Sequence, residues 1–280
     1  MSNEFRADLH CHSTCSDGTF TPEELVALAR EIGLSGLAIT DHDTVDAYDT
    51  VLAAAKAVDF PLVVGAEFSA SDEGSSVHLL GYGFRLRHPA IQELCRRHAA
   101  RRENRNRKML ELLAKEGMPV DEGELAGEQS HTIGRPHIAM AMVRRGYVST
   151  VKEAFDRYLG DKKCCYARGE AITADETIQA IHDAGGYAVI AHPHLIKNEQ
   201  LILRLLKKPF DGLEGYYAKF YPRQEERWVK IAKNRQWLIT GGSDFHGSVK
   251  PDIPLGSSWV GEETFKLLHQ KSVENNGELF

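Results

Sequence analysis

His10 and His12 alternate within the stretch ADLHCHSTCSDG, Ala7 to Gly18, and Asp17 follows after a short polar turn. On a β-strand, side chains two apart share a face, so both imidazoles project together beyond the strand's end. The turn returns Asp17 to the same spot. Two imidazoles and a carboxylate suit a divalent metal of borderline softness. His-x-His also arises by chance in polar loops, so the case rests on what recurs downstream.

It recurs at the ends of further apolar runs. ITDHD delivers His42, VVGAEF delivers Glu67, SSVHLLGYGF carries His78, YAVIAHPH ends in His192, and WLITGGSDFH places Asp244 and His246 two apart. Each alone has an ordinary explanation, a hydrogen-bonded histidine or a capping carboxylate. Gathered at one mouth they are costly for structure alone, because clustered carboxylates repel unless cations lie among them. His10, His12, Asp17, His42, Glu67, His78, His192, Asp244 and His246 make six imidazoles and three carboxylates. That exceeds the needs of one ion and fits two or three, with bridging carboxylates. Cys11 alternates with the first two histidines and faces the other way, and neither it nor Cys15 enters the ligand set. The five cysteines show no framework spacing and read as reduced thiols.

The elements that must hold these groups alternate. Thr21, Pro22, Glu23 and Glu24 open a helix that stops at Gly33. LSGLAIT is a buried strand, a helix covers Val45 to Val58, and PLVVGAEFSA and SSVHLLGYGF are strands. TADETIQAIHDAGG, YAVIAHPH, FDGLEGYY and WLITGGSDFH then resume the rhythm. Alternating strand and helix, with polar residues at the strands' carboxyl ends, is the pattern of an α/β barrel. Between them the rhythm breaks: a helix begun near His88 runs on, and IGRPHIAMAMVRRG and VKEAFDRYLG read as two more. The division is a barrel over 1–98 and 168–280 with a helical insert over 99–167. The 280 residues suffice for that arrangement, and the net charge of −6 argues against general nucleic-acid coating. No stretch reads as a membrane span or signal peptide, so the expectation is cytoplasmic.

HCHSTCSDG, ITDHD, the GAE around Glu67, AHP at His192 and GSDFH resemble, in order, the motifs of the polymerase and histidinol phosphatase (PHP) superfamily. The resemblance implies a distorted seven-stranded, TIM-like α/β barrel, (β/α)7, with the nine residues above as ligands of a multinuclear metal centre. It implies one ion among His10, His12, Glu67 and Asp244, a second among Glu67, His78 and His192, and a third among Asp17, His42 and His246. Manganese is the implied ion, while the donor types also admit iron or zinc. His194 lies outside the family pattern and reads as an outer or unrelated residue. Such a centre hydrolyses phosphoesters with a metal-activated hydroxide. Asp17, His42 and His246 are taken as the catalytic residues, with His246 or a bound water as the acid for the leaving oxygen.

The insert speaks to substrate. From Arg96 to Lys108 there are six Arg, one Lys and one Glu. A charge run usually marks a solvated face. Here Arg102 and Arg105 are helical neighbours of the residue type suited to bidentate phosphate contacts. In TIGRPHIA, Pro136 predicts a helix start, placing Gly134 and Arg135 at a helix N-terminus, where anions bind. RRENRNRK and GRPHIA resemble the branch of the family acting on nucleoside 3′,5′-bisphosphates. That implies release of the 3′-phosphate to leave a nucleoside 5′-monophosphate, with Arg102, Arg105, Gly134 and Arg135 holding the 5′-phosphate. Alternatives are a 5′-3′ exonuclease on short 5′-phosphorylated RNA, a histidinol phosphatase, whose substrate has one phosphate and needs no second anion site, and a structural, non-enzymatic PHP module. The expected partner is a small nucleotide or short oligoribonucleotide, with no membrane and no obligate protein partner.

Overall fold

The computed structural model describes residues 4–125, 133–167, 169–220 and 222–277. Among these the apolar runs form seven strands: β1 (Ala7–Cys11), β2 (Gly36–Ile39), β3 (Gly65–Asp72), β4 (Ser75–Tyr82), β5 (Tyr187–Ile190), β6 (Gly212–Tyr217) and β7 (Leu238–Gly242). β1 and β2 pair in parallel, and the other five make a second sheet in the order β3-β4-β5-β6-β7. The closed barrel expected from the sequence is not found. Isolated bridges span the gaps instead, from Cys11 to Phe245 beyond β7, and from Leu37 to Leu62 and His42 to Glu67 on the β3 side.

A (β/α)7 barrel has parallel neighbours only, whereas here β4 runs antiparallel to both β3 and β5. The cause is local. Only Glu73 and Gly74 separate β3 from β4, at φ 42° and 83°, and a two-residue turn makes a hairpin, never a crossover. At the other edge, a Cβ on Gly242 would lie 2.4 Å from the His10 backbone nitrogen. Glycine there lets β7 come close beside β1 and brings two ligand-bearing strand ends together.

Helices α1 (Pro22–Glu31), α2 (Tyr48–Ala57), α3 (Pro89–Lys115), α4 (Arg135–Arg144), α5 (Val151–Ala154), α6 (Ala174–Asp183), α7 (Glu199–Leu205), α8 (Pro222–Arg235) and α9 (Glu262–Asn276) complete the order. Thr21 and Glu24 form the reciprocal cap that starts α1. α2 begins later than the sequence pattern suggests, at Tyr48. Its phenolic oxygen accepts from the Gly65 N–H at 2.8 Å and reaches the Ile39 carbonyl at 2.7 Å, so this position links β2 to β3. α5 is short and passes into a wider turn over Phe155–Leu159.

α3 crosses the 98/99 division without a break. Ile91 and Leu94 pack into the main core with the sheets, whereas Met109, Leu113, Ile138 and Met142 share a second core that reaches Ala167. One long helix thus holds the helical unit against the strands. The polar stretch ahead of α4, with Thr132 of TIGRPHIA, lies outside the described residues. No helix among the described residues is long and apolar enough to cross a membrane.

Candidate metal centre

The nine expected ligands come together around Glu67. This carboxylate is almost fully buried, with Oε2 3.3 Å from His10 Nε2, 3.2 Å from His12 Nε2 and 3.2 Å from His42 Nδ1. Its Oε1 lies 2.8 Å from both His78 Nδ1 and His192 Nε2. Asp244 Oδ1 is 3.5 Å from His10 Nε2 and 3.3 Å from His12 Nε2, and Asp17 Oδ1 is 3.3 Å from His246 Nε2. Three groups have ligand atoms close enough to share an ion: His10, His12, Glu67 and Asp244; His42, Glu67 and His78; and His12, Asp17, His42 and His246. His12 and His42 therefore each serve two groups, where the sequence divides them one apiece. His78 is the most exposed of the nine, with 30% of its side chain accessible, and it marks the mouth.

The fit to metal shows in what these atoms lack. His12 Nε2, His42 Nδ1 and Asp17 Oδ1 are buried without a hydrogen-bond partner. Orphaned polar atoms of this kind destabilise a fold unless something binds them. Here nitrogen and oxygen atoms face one another at separations that leave room for a cation among them. Burial pushes the His42 imidazole down to about 3, which keeps its lone pairs free. Burial would lower His12 as well, but Asp244 and Glu67 overcome it and lift the ring to about 9. Burial also opposes ionisation of Asp17, yet His42 and His246 hold its carboxyl well below the usual range. Imidazoles and carboxylates thus stabilise each other's charges in a buried site that a divalent ion would take over.

Several groups that orient the ligands were not singled out by the sequence reading. Glu214 Oε1 accepts from His10 Nδ1 at 2.9 Å, which leaves Nε2 to face Glu67, and Glu214 Oε2 accepts the His192 backbone N–H at 2.7 Å. Asp41 accepts from the Ser13 and Ser16 hydroxyls at 2.5 Å and fixes the turn that returns Asp17. The His246 ring donates from Nδ1 to the Asp244 carbonyl at 2.8 Å, directing Nε2 at Asp17. Asp244 Oδ2 accepts from Tyr217 and from Lys250, each at 2.7 Å. Asp43, His192 and Asp244 all adopt positive φ, at 62°, 24° and 56°. Such backbone is strained for residues with a Cβ and persists where surrounding bonds over-determine it. The signal for Glu214 was a lone acid on an apolar strand.

Tyr217→Phe removes the hydroxyl donor and keeps the ring. It is expected to weaken metal binding by about 10- to 100-fold, measured by calorimetric metal titration, with an unchanged circular dichroism spectrum.

The expected phosphate-binding residues stand beside this centre, already partnered. Arg102 Nε donates to Asp43 Oδ2 at 2.9 Å, its NH2 also bonds Asp43, and its NH1 faces Gly134. Arg105 bonds Asn106, and Arg135 bonds Asp161 at 2.8 Å between the rings of Phe155 and Tyr166. The Gly134 N–H donates to His137 Nδ1 at 2.9 Å, so this amide is engaged within its own helix turn. His137, on that turn, is close enough to feel the Asp17 charge, which brings α4 near the third metal group. His194 stands apart in an aromatic stack, 4.6 Å from the Phe220 ring centroid, and all five cysteines are free.

Residues 8–160 match the PHP domain. Among curated relatives, a 5′-3′ exoribonuclease of Haemophilus influenzae is 36% identical over 85% of this chain and 89% of its own length. A phosphoribosyl 1,2-cyclic phosphate 1,2-diphosphodiesterase of Eggerthella lenta is 30% identical over 86% of this chain and 94% of its own. A 3′,5′-nucleoside bisphosphate phosphatase of Chromobacterium violaceum is 30% identical over 85% and 86%. A solved structure from Bifidobacterium adolescentis, described as a metal-dependent phosphoesterase, superposes with a TM-score of 0.84 at 35% identity, covering 95% of this chain and 96% of that one. Strand-end imidazoles converging on one buried glutamate, the domain match over residues 8–160 and the likeness to these proteins have one explanation: the chain belongs to the PHP domain family of metal-dependent phosphoesterases.

Proposed function

We propose that this chain hydrolyses the 3′-phosphate of nucleoside 3′,5′-bisphosphates to give a nucleoside 5′-monophosphate. The observation that carries the reading is a second cationic group built next to the metal cluster. Arg102 is anchored to Asp43, the residue directly after His42, and its NH1 faces Gly134, the cap that leads into Arg135 and α4. A substrate with one phosphate needs only the cluster. One with two, held apart by a ribose, can use both.

His10, His12, Glu67 and Asp244, with His78, His192, Asp17, His42 and His246, are the residues we assign to two or three divalent ions, with manganese as the preferred metal. Ions there lower the pKa of water and offset charge on phosphoryl oxygens. The chain's own groups then orient and move protons. Glu214 and Tyr217 keep His10 and Asp244 in place, and burial around Glu67 excludes bulk water. Asp17, His42 and His246 line the corner nearest α4; His246 Nδ1 is held by the Asp244 carbonyl and its Nε2 by the cluster, so the proton for the departing 3′-oxygen is assigned to a water held at that corner. Arg102, Arg105, Gly134 and Arg135 retain the 5′-phosphate; the Gly134 amide would have to exchange His137 for the ligand.

A second reading, 5′-3′ exonuclease action on short 5′-phosphorylated RNA, is favoured by the 36% identity to a protein of that name. Both readings break the same bond, phosphorus to O3′ of a 5′-phosphorylated nucleoside. They differ in whether phosphate or a shorter RNA leaves on the other side.

Phosphate release from adenosine 3′,5′-bisphosphate, adenosine 3′-monophosphate and histidinol phosphate, beside cleavage of a 5′-phosphorylated trinucleotide, tests both. Turnover of the bisphosphate with little on histidinol phosphate is expected. Faster turnover of histidinol phosphate would overturn the proposal, and cleavage of the trinucleotide alone would leave only the second reading. Arg135→Ala is expected to raise KM for the bisphosphate by about 10- to 100-fold, the worth of a charged hydrogen bond, with kcat little changed. Equal losses on bisphosphate and monophosphate would remove Arg135 from the clamp.

A further inference from the structure

Arg97, Arg101, Arg105 and Lys108 recur at helical spacing along one side of α3 and line a cavity of about 390 Å³. The chain around Glu170 forms its opposite wall, and none of the nine metal-centre residues lines it. With Arg96, which is paired with Glu93, five cationic side chains line the cavity beside one lining carboxylate, Glu170. Arg97 does pair with Glu176 at 2.9 Å, but both side chains are exposed and such pairs hold little energy.

Arg105 is the informative member. Its NH2 bonds the neutral Asn106 side chain at 3.2 Å, while its Nε is buried with no hydrogen-bond partner. Burial, then the neighbouring Arg102, Arg135 and Arg101, push its guanidinium down to about 9. Crowding that weakens its hold on a proton strengthens its demand for an anion. Arg105 thus belongs both to the clamp over the metal centre and to this cavity. The two are adjacent.

We propose that the cavity is a second phosphate site, outside the metal centre, that takes the phosphate chain of a ligand longer than a nucleoside bisphosphate. The shared chemistry is a run of phosphate groups, either the diesters of a short oligoribonucleotide or phosphates joined end to end on a nucleotide's 5′ side. Guanidinium forks at successive turns of a helix suit such a run. The placement of the ligand's nucleoside end rests on Arg105 being part of the clamp under "Proposed function"; binding in the cavity does not require turnover.

The test is direct binding with a chelator present, using a 5′-phosphorylated hexaribonucleotide and inorganic tripolyphosphate as probes. The intact chain is compared with Arg97→Glu/Lys108→Glu, two residues outside the catalytic and clamp machinery, and with the milder Lys108→Ala. The double variant is expected to bind at least about tenfold more weakly and to lose about one to two units of the salt-dependence slope. Hydrolysis of adenosine 3′,5′-bisphosphate should stay within about twofold. Loss confined to the hexaribonucleotide assigns the site to diesters, loss confined to tripolyphosphate assigns it to end-to-end phosphates, and loss of both assigns it to either. Wild-type chain that binds neither probe, or a double variant that binds both unchanged, overturns the site. If the wild-type chain binds through Arg97 and Lys108 yet leaves the bisphosphate intact, the function reading falls and the cavity assignment stands.

Discussion

Turnover is expected to fall by at least about 10³-fold when Glu67 is replaced by Gln, because metal charge stabilisation contributes several kcal/mol to phosphoester hydrolysis. Glu67 touches five imidazoles, three through Oε2 and two through Oε1. Gln keeps the size but trades an acceptor for a donor on one side and removes the charge. One set of imidazoles then faces an N–H, and one of the two candidate metal groups that share Glu67 would lose its Glu67 carboxylate oxygen. Metal content per chain, measured by elemental analysis after dialysis, should drop together with phosphate release. His12→Ala and Asp244→Ala should act in the same direction. Chelator treatment of the wild-type chain should reproduce the loss, and added divalent metal should reverse it in the wild type alone. A Glu67→Gln chain that keeps its metal and hydrolyses phosphoesters at the wild-type rate would remove the cluster from the chemistry. Circular dichroism guards against an unfolded variant.

The clustering of these nine residues is legible in the sequence because a strand end is a local object. His-x-His, Asp-x-His and a polar residue closing an apolar run each state their direction through the two-residue period, and six such endings share one chemistry. The groups that hold them were opaque for the opposite reason. Glu214 meets His10 across 204 residues, and Tyr217 meets Asp244 through a hydroxyl that a strand pattern cannot aim. Sheet closure was misjudged because period and composition fix which face a residue takes, and say little of which strands pair. The Glu73-Gly74 turn did carry the antiparallel signal. Likewise, the Arg run reads as a charged helix face, whereas Asp43, 59 residues earlier, decides that Arg102 turns inward into an ion pair.

That buried arginine supplies the other large effect. Arg102→Ala is expected to destabilise the chain by about 3 kcal/mol, because removing one partner of a buried ion pair strands the other. Only 12% of the Arg102 side chain and 1% of Asp43 are accessible, so water cannot replace the guanidinium. Burial would raise the Asp43 carboxyl, but Arg102, then His98, hold it below the usual carboxylate range. After the substitution the Ser69 N–H, 2.6 Å from Oδ1, is the remaining strong donor, and the positive φ of Asp43 loses a restraint. For a chain of this size the midpoint of thermal unfolding should fall by about 5 °C. In the clamp proposed above the same substitution removes a phosphate partner, so KM for a nucleoside 3′,5′-bisphosphate, measured well below the midpoint, should rise by about tenfold or more. The two roles separate in the double variant Asp43→Asn/Arg102→Ala, in which no buried charge is left alone. Most of the lost stability should return, while the raised KM should persist. Recovery of both would show that Arg102 acts on substrate solely by holding Asp43, and the phosphate clamp would then rest on Arg105 and Arg135.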